Sequence, residues 1–442
     1  MAAEPYRYTA TQAVQAFSAD TLAVEEYARS LIKHVENRDP VVKAWAHFDP
    51  LQVLEQARAL DSLPKEKRGP LHGVGVAVKD VIYTKGMPTQ HNSPIYHNDQ
   101  PELDAASVIM LRNAGALIIG KTRTTEFAST VEGPGTSNPH DPTRTPGGSS
   151  SGSGAAVGDC QAPIALGTQT GGSTIRPGSF NGVYALKPTW QSISREFQKI
   201  YSPILDTLGL YARSVEDLEL LATIFGLKDD SPPVPPSSGV KGLKFAFLKT
   251  MIWHKAGPGT RNAMIKGAEL LKAHGAEVSD IDFPAEFAKL PEWHTCVLYC
   301  DGRVAFRPEY QTAKSKLNQF LIDHVEEKWG YTRKQYLEAF DGISALRPKW
   351  DAIAEQYDAV VGPSVPDEAP VGIESTGSAI FNSMWTALHV PVINIPGFKG
   401  ENGMPVGLSL VLPRYKDQQL LAVAKEVGKV WEVEGGWKNE RP

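Results

Sequence analysis

PGGSSSGSGAAVGDCQAPIALGTQTGGSTIRPGSFNGVYALKP, residues 146–188, is the stretch around which this chain is organised. Two clusters place a serine after paired glycines, Gly147-Gly148-Ser149 and Gly171-Gly172-Ser173. Between them, the small residues from Ser153 to Gly158 let backbones approach closely. The apolar run Ala162 to Leu166 reads as a buried strand. It ends in Gly-Thr-Gln-Thr-Gly-Gly-Ser, a turn able to aim several backbone N–H groups at one point. An oxyanion or a phosphate is held in that way.

Working outward, Val74 to Val78 has strand character and Lys79 closes it, with Asp80 as the evident ion-pair partner. Leu103, Ser107, Met110 and Leu111 lead as a helix into Gly115-Ala-Leu-Ile-Ile-Gly, which returns to a sheet. Residues 133–148 are polar and rich in Pro and Gly, hence loop. Residues 9–35 read as helix, with Ser18 and Asp20 as caps and an apolar stripe of Leu22, Tyr27, Leu31 and Val35. Downstream, Ser214 caps a helix with Asp217 three residues on. SPPVPPSSG, residues 231–239, is the sharpest break, a linker or a long surface crossover. A strand at Leu243 to Leu248 and a helix at 260–274 follow, then a helix-rich, aromatic-rich region at 285–350. Three more strands, around 359–363, 390–396 and 406–412, and a helix at 417–432 close the chain. Strands and helices alternate without an internal repeat, so the class is α/β around one large sheet.

The 442 residues are 21% charged with a formal net charge of −5, which gives no electrostatic case for nucleic acid or an anionic membrane. Cys160, Cys296 and Cys300 make no disulfide framework, and Cys296 and Cys300 are spaced for one helix face within a core. No apolar run approaches the roughly 20 residues that span a bilayer. The N-terminal residues lack the pattern of a signal peptide, and the terminal Glu440-Arg441-Pro442 is no retention or peroxisomal tag. These features lead to the expectation of a soluble, cytoplasmic protein.

Several catalytic patterns compete. A P-loop needs Gly-Lys-Ser/Thr, which is absent. Gly152, Gly154 and Gly158 have the wrong spacing for a dinucleotide fingerprint. Gly148 to Gly152 satisfies G-x-S-x-G around Ser150, but polar loop rather than a buried strand precedes it. The S-x-x-K pairs Ser30/Lys33 and Ser62/Lys65 lie on an amphipathic helix and in a polar turn. A serine nucleophile activated by lysine through a second serine fits better. Ser173 has oxyanion donors beside it, and Lys79 at the end of an apolar strand can act as a base if burial lowers its pKa.

At this point the chain resembles the amidase signature enzymes, serine hydrolases with a Ser–Ser–Lys triad. The resemblance covers Gly73 to Asp80, Gly115 to Phe127 and Pro146 to Thr189, and resumes at Asp358 to Pro370 and Pro391 to Leu410. It implies a mixed central sheet flanked by helices. It also implies Lys79 as base, Ser149 after a cis peptide as proton relay, and Ser173 as nucleophile. The 24-residue separation of Ser149 from Ser173 is the one in the family pattern, so the resemblance implies Ser149 rather than Ser150 or Ser151. The oxyanion hole would be the N–H groups of Thr170, Gly171, Gly172 and Ser173, with no metal or cofactor required. Three positions depart from the family pattern: Gln169 replaces an aspartate, Arg176 stands three rather than two residues after the nucleophile, and Asn181 replaces a common cysteine.

The expected layout is one domain over 1–442, with an N-terminal helical segment at 1–60 and a catalytic core at 71–230. A variable, helix-rich substrate-pocket region at 240–350 and a return to the core sheet at 355–442 complete it. The expected activity is hydrolysis of a non-peptide amide through an acyl-Ser173 intermediate. The expected partners are a small-molecule amide, no nucleic acid and no membrane, with a homodimer kept as a candidate. The rival readings are an amidotransferase subunit releasing ammonia from glutamine, an esterase or acyltransferase with the same triad, and a non-catalytic binding protein.

Overall fold

Strands buried on both faces read as continuous apolar runs, and two of them, β2 (Gly75–Lys79) and β4 (Ile164–Gln169), lie side by side in parallel at the heart of the protein. The computed structural model describes residues 4–237 and 239–439, so the C-terminal Glu440-Arg441-Pro442 lies outside the described residues. The remaining strands are β1 (Trp45–Phe48), β3 (Leu117–Thr122), β5 (Tyr184–Lys187), β6 (Thr207–Ala212), β7 (Lys244–Leu248), β8 (Glu277–Ile281), β9 (Ala359–Pro363), β10 (Val392–Lys399) and β11 (Pro405–Val411). All eleven strands among the described residues join one mixed sheet in the order β1-β3-β2-β4-β6-β5-β10-β11-β9-β7-β8. The α/β expectation of a single large sheet holds.

The helices flank this sheet. On the N-terminal side stand α1 (Ala10–Ser18), α2 (Val24–Val42), α3 (Pro50–Asp61) and α4 (Ala106–Asn113). The expected single helix at 9–35 is two, because Asp20 takes a left-handed φ of 54° between them. Ser18 closes the first helix rather than capping the second, and the Asp61 carboxylate accepts from the N–H groups of Val24 and Glu25 instead. In the middle come α5 (Ser151–Gly158), α6 (Ile175–Phe180), α7 (Val215–Ile224), which Ser214 caps through Asp217 N–H, and α8 (Pro258–Ala273). The helix-rich region comprises α9 (Leu290–Ala305), α10 (Arg307–Ala313), α11 (Gln319–Val325) and α12 (Arg333–Ala354). It builds its own core around Trp350, Val297 and Ile343, continuous with α13 (Ser383–Ala387). Helix α14 (Asp417–Glu434) packs back on β10.

The small-residue run is α5, buried along its whole length. Its composition follows from its place. A Cβ on Gly152 would stand 2.1 Å from the carbonyl oxygen of Ala44 and 2.5 Å from the backbone nitrogen of Arg123. Backbone atoms cannot rotate away, so the overpacking cost of about 1–3 kcal/mol exceeds the gain of about 1 kcal/mol that alanine brings to a helix interior. Gly152→Ala is therefore expected to lower the urea midpoint of unfolding; a raised midpoint would show that the helix can retreat from the sheet.

Candidate active site

Strand β2 delivers Lys79 to the centre of the molecule, where its side chain is fully buried. Its Nζ lies 2.7 Å from Ser149 Oγ, 2.9 Å from Ser150 Oγ and 2.7 Å from Thr168 Oγ1. All three are neutral hydroxyls. The expected Asp80 partner points elsewhere: it forms a buried ion pair with Lys121 at 3.2 Å, because successive strand residues face opposite ways. Burial therefore holds the Lys79 amine well below its usual pKa of 10.5, against the pull of Asp206 and with the help of Arg176.

The hydroxyls around this amine are not equivalent. Ser150 Oγ also accepts from Thr168 N–H and donates to the Thr168 carbonyl, both at 3.2 Å, so its proton is committed. Ser149 Oγ has Lys79 as its hydrogen-bond partner and keeps its own proton available. Ser149 follows a cis peptide from Gly148, as the resemblance implied. The Gly148 carbonyl accepts from Arg176 Nη2, while Arg176 Nη1 donates to the Gly377 carbonyl at 2.8 Å. Arg176 is thus a buried strut between the Ser149 peptide and the 375–382 segment, with its pKa lowered by burial to about 10.

Ser173 stands at the end of the turn that leaves β4. Every carbonyl of that turn is tied outward. Thr170 O accepts from His294 Nε2 at 2.9 Å, Gly171 O from Thr386 Oγ1 at 2.8 Å, Gly172 O from Arg176 N at 3.0 Å and Ser173 O from Tyr211 OH at 3.0 Å. Gln169 braces the turn from within, accepting from Thr174 N and Ile175 N and donating to Thr386 Oγ1. An aspartate could accept those two N–H groups but could not donate to Thr386, so the glutamine is a working replacement. Asn181 likewise fills its position with hydrogen bonds, donating to the carbonyls of Pro146 and Pro177, both at 2.7 Å. With the carbonyls turned away, the N–H groups of Thr170, Gly171, Gly172 and Ser173 donate to no acceptor within the described residues. Among those residues, no hydrogen bond joins Ser149 to Ser173.

Sequence reasoning missed Thr168, Asp206, His294 and Tyr211. Thr168 could have been found, since it follows Gly167 in the apolar strand. The other three come from β6, the loop before it and α9, which only the fold brings to the turn. The S-x-x-K serines are occupied elsewhere: Ser30 Oγ accepts from Tyr6 N, and Ser62 Oγ donates to Ala59 O. Cys296 and Cys300 share a face of α9, and no group of three or more His, Cys, Asp or Glu suited to a metal ion exists among the described residues. No helix there is long and apolar enough to cross a membrane.

The Amidase family profile matches residues 26–421, and the chain belongs to that family. It is similar to the A-type subunit of the glutamyl-tRNA(Gln) amidotransferase of Chloroflexus aurantiacus, 29% identical with 99% of each chain covered. The corresponding protein from Acidothermus cellulolyticus is 31% identical, with 94% of this chain and 93% of the other covered. Among solved structures, an amidase superposes with a TM-score of 0.85 at 27% identity, covering 96% of this chain and 99% of the other. The fold is therefore that of the amidase signature enzymes, in a single domain. Fatty acid amide hydrolase shares it with the same TM-score at 22% identity, covering 98% and 87%.

If the lysine amine is the base, it works only when deprotonated, so kcat/KM for amide hydrolysis is expected to rise with pH over a range well below the ordinary lysine pKa of 10.5. Lys79→Arg, which keeps the charge but cannot shed it, is expected to lose about 10²–10⁴-fold across that range. A rate that falls with rising pH would show that the charged form acts.

Proposed function

We propose that this chain hydrolyses a carboxylic amide to the acid plus ammonia or an amine, through an acyl-Ser173 intermediate. The observation that carries the reading is the Lys79–Ser149 contact, in which an amine whose proton affinity burial has reduced meets a hydroxyl with an available proton. Ser149 passes its proton to Lys79 Nζ and takes one from Ser173 Oγ as that oxygen attacks the carbonyl carbon. The carbonyl oxygen gains the negative charge and is received by the N–H groups at 170–173, whose orientation is fixed in advance by the outward-tied carbonyls. Return of the proton through Ser149 to the nitrogen lets the C–N bond break. Water then attacks the acyl ester by the same relay and releases the acid.

The substrate is a small aromatic or apolar amide. The aromatic-rich composition of the 285–350 region supports that reading; there Phe306 and Leu321 pack with Phe127 and Tyr201 in a buried cluster beside α9. The arginine nearest the nucleophile spends its Nη groups on Gly148, Thr376 and Gly377, so it is not available to read a substrate carboxylate. A second reading, an amidotransferase component that releases ammonia from glutamine, is favoured by the whole-chain likeness to proteins of that name.

Ammonia release by the purified chain alone, from benzamide and from glutamine, separates the two. Benzamide turnover that falls by at least about 10²–10⁴-fold in Ser173→Ala, Ser149→Ala and Lys79→Ala is expected. Turnover confined to glutamine would contradict the apolar reading. Benzamide turnover surviving Ser173→Ala would mean that the nucleophile is another group.

A further inference from the structure

The oxyanion turn is gripped from two sides by residues that the relay does not use. His294 of α9 holds the Thr170 carbonyl, and the Thr170 hydroxyl donates to Asp206 Oδ1 at 2.6 Å. Asp206 Oδ2 accepts from Tyr201 N at 2.7 Å, fixing the segment that leads into β6. That segment returns to α9, because Ser202 Oγ donates to Asp301 Oδ2, and Tyr336 OH of α12 donates to Asp301 Oδ1 at 3.0 Å. Gly302 lets the segment sit tight against α9: a Cβ there would stand 2.7 Å from the Tyr201 ring. The contacts close a ring from α9 through Thr170, Asp206 and residues 201–202 back to α9.

We infer that His294, Asp206 and Asp301 are positioning residues that set the oxyanion turn, with His294 making the turn's geometry depend on the seat of α9. The inference rests on the hydrolase reading above. Its chemistry is simple. A peptide carbonyl and its neighbouring N–H are held in one rigid plane, so pinning Thr170 O fixes where Gly171 N–H points. A donor displaced by about 1 Å loses on the order of 10²-fold in rate without loss of ground-state binding. His294 suits the task. Burial lowers its pKa to about 4, so at neutral pH it is an uncharged imidazole that donates from Nε2 to Thr170 O. It comes from the region expected to vary with substrate, and Leu298, one turn along the same helix, packs against both the α12-side core and the aromatic cluster. A ligand that shifts α9 therefore shifts the turn.

The test is saturation labelling with a fluorophosphonate, whose phosphoryl oxygen needs the same N–H groups, on wild type, His294→Leu, His294→Gln and Asp301→Asn. The expected result is a kinact lowered about 10- to 100-fold in His294→Leu with KI unchanged. His294→Gln, whose amide can donate from near the Nε2 position, recovers most of that loss. Equal kinact in wild type and His294→Leu, a loss carried wholly in KI, or no recovery by His294→Gln overturns the inference while leaving the hydrolase reading intact. Where His294→Leu does not fold, Asp301→Asn decides: a lowered kinact at constant KI supports the ring, and an unchanged one overturns it. A folded wild type that takes no label overturns the hydrolase reading itself, and the inference with it.

Discussion

A lysine amine surrounded by three neutral hydroxyls, with no carboxylate against it, is the arrangement on which the rest of the structure depends. Taking an ammonium out of water without an opposite charge costs several kcal/mol, and the amine meets that cost by giving up its proton more readily. Each neighbour is then a fold requirement. Thr168 must end β4 beside β2, and Ser149 and Ser150 must arrive at the start of α5, a helix stripped to small residues so that it can lie against the sheet. Asp80, one residue on, must face away into its own pair with Lys121, because a carboxylate on the Lys79 side would restore the proton that burial removes.

The turn after β4 obeys a second constraint. Backbone N–H groups can be spared for a ligand only if the carbonyls of the same peptides are satisfied elsewhere, and each of the four from Thr170 to Ser173 has a separate partner. The α6 partner follows the turn directly, whereas those from β6, α9 and α13 come from elements further along the chain. The catalytic-type groups thus sit on the central sheet and its adjoining turns, while part of the support for the turn comes from the helix-rich region. That division lets the helix-rich region vary without moving the Lys79–Ser149 contact, while the turn keeps a hydrogen bond to α9.

How much was legible follows from how local each signal is. The paired Gly-Gly-Ser clusters, the apolar run before Lys79 and the strands β7, β9, β10 and β11 are continuous patterns, and they read correctly as elements. Strand β1 is four residues long and β8 is an exposed edge with the sequence EVSDI, so neither makes an apolar run. Strand β6 carries Gly209, whose missing side chain admits Thr174 just beyond the turn after β4, and the glycine that makes it useful also blurs it as a strand. Asp206 and His294 look ordinary in sequence. One stands in a loop and the other on a helix beside Trp293, and only the crossing of β6 next to β4 and of α9 over the turn gives them work. Assigning Asp80 to Lys79 failed for a simpler reason, since adjacent residues at a strand end point to opposite faces.

A crystal structure of the fluorophosphonate-treated protein tests the central claim most directly, because it shows the attacking oxygen and the receiving donors together. The account predicts one phosphonyl group on Ser173 Oγ, with its oxygen about 2.7–3.1 Å from backbone nitrogens among 170–173. Lys79 and Ser149 should remain in contact behind it. An adduct on Ser149 or Ser150, or a phosphonyl oxygen turned out to solvent with those N–H groups unused, would contradict it.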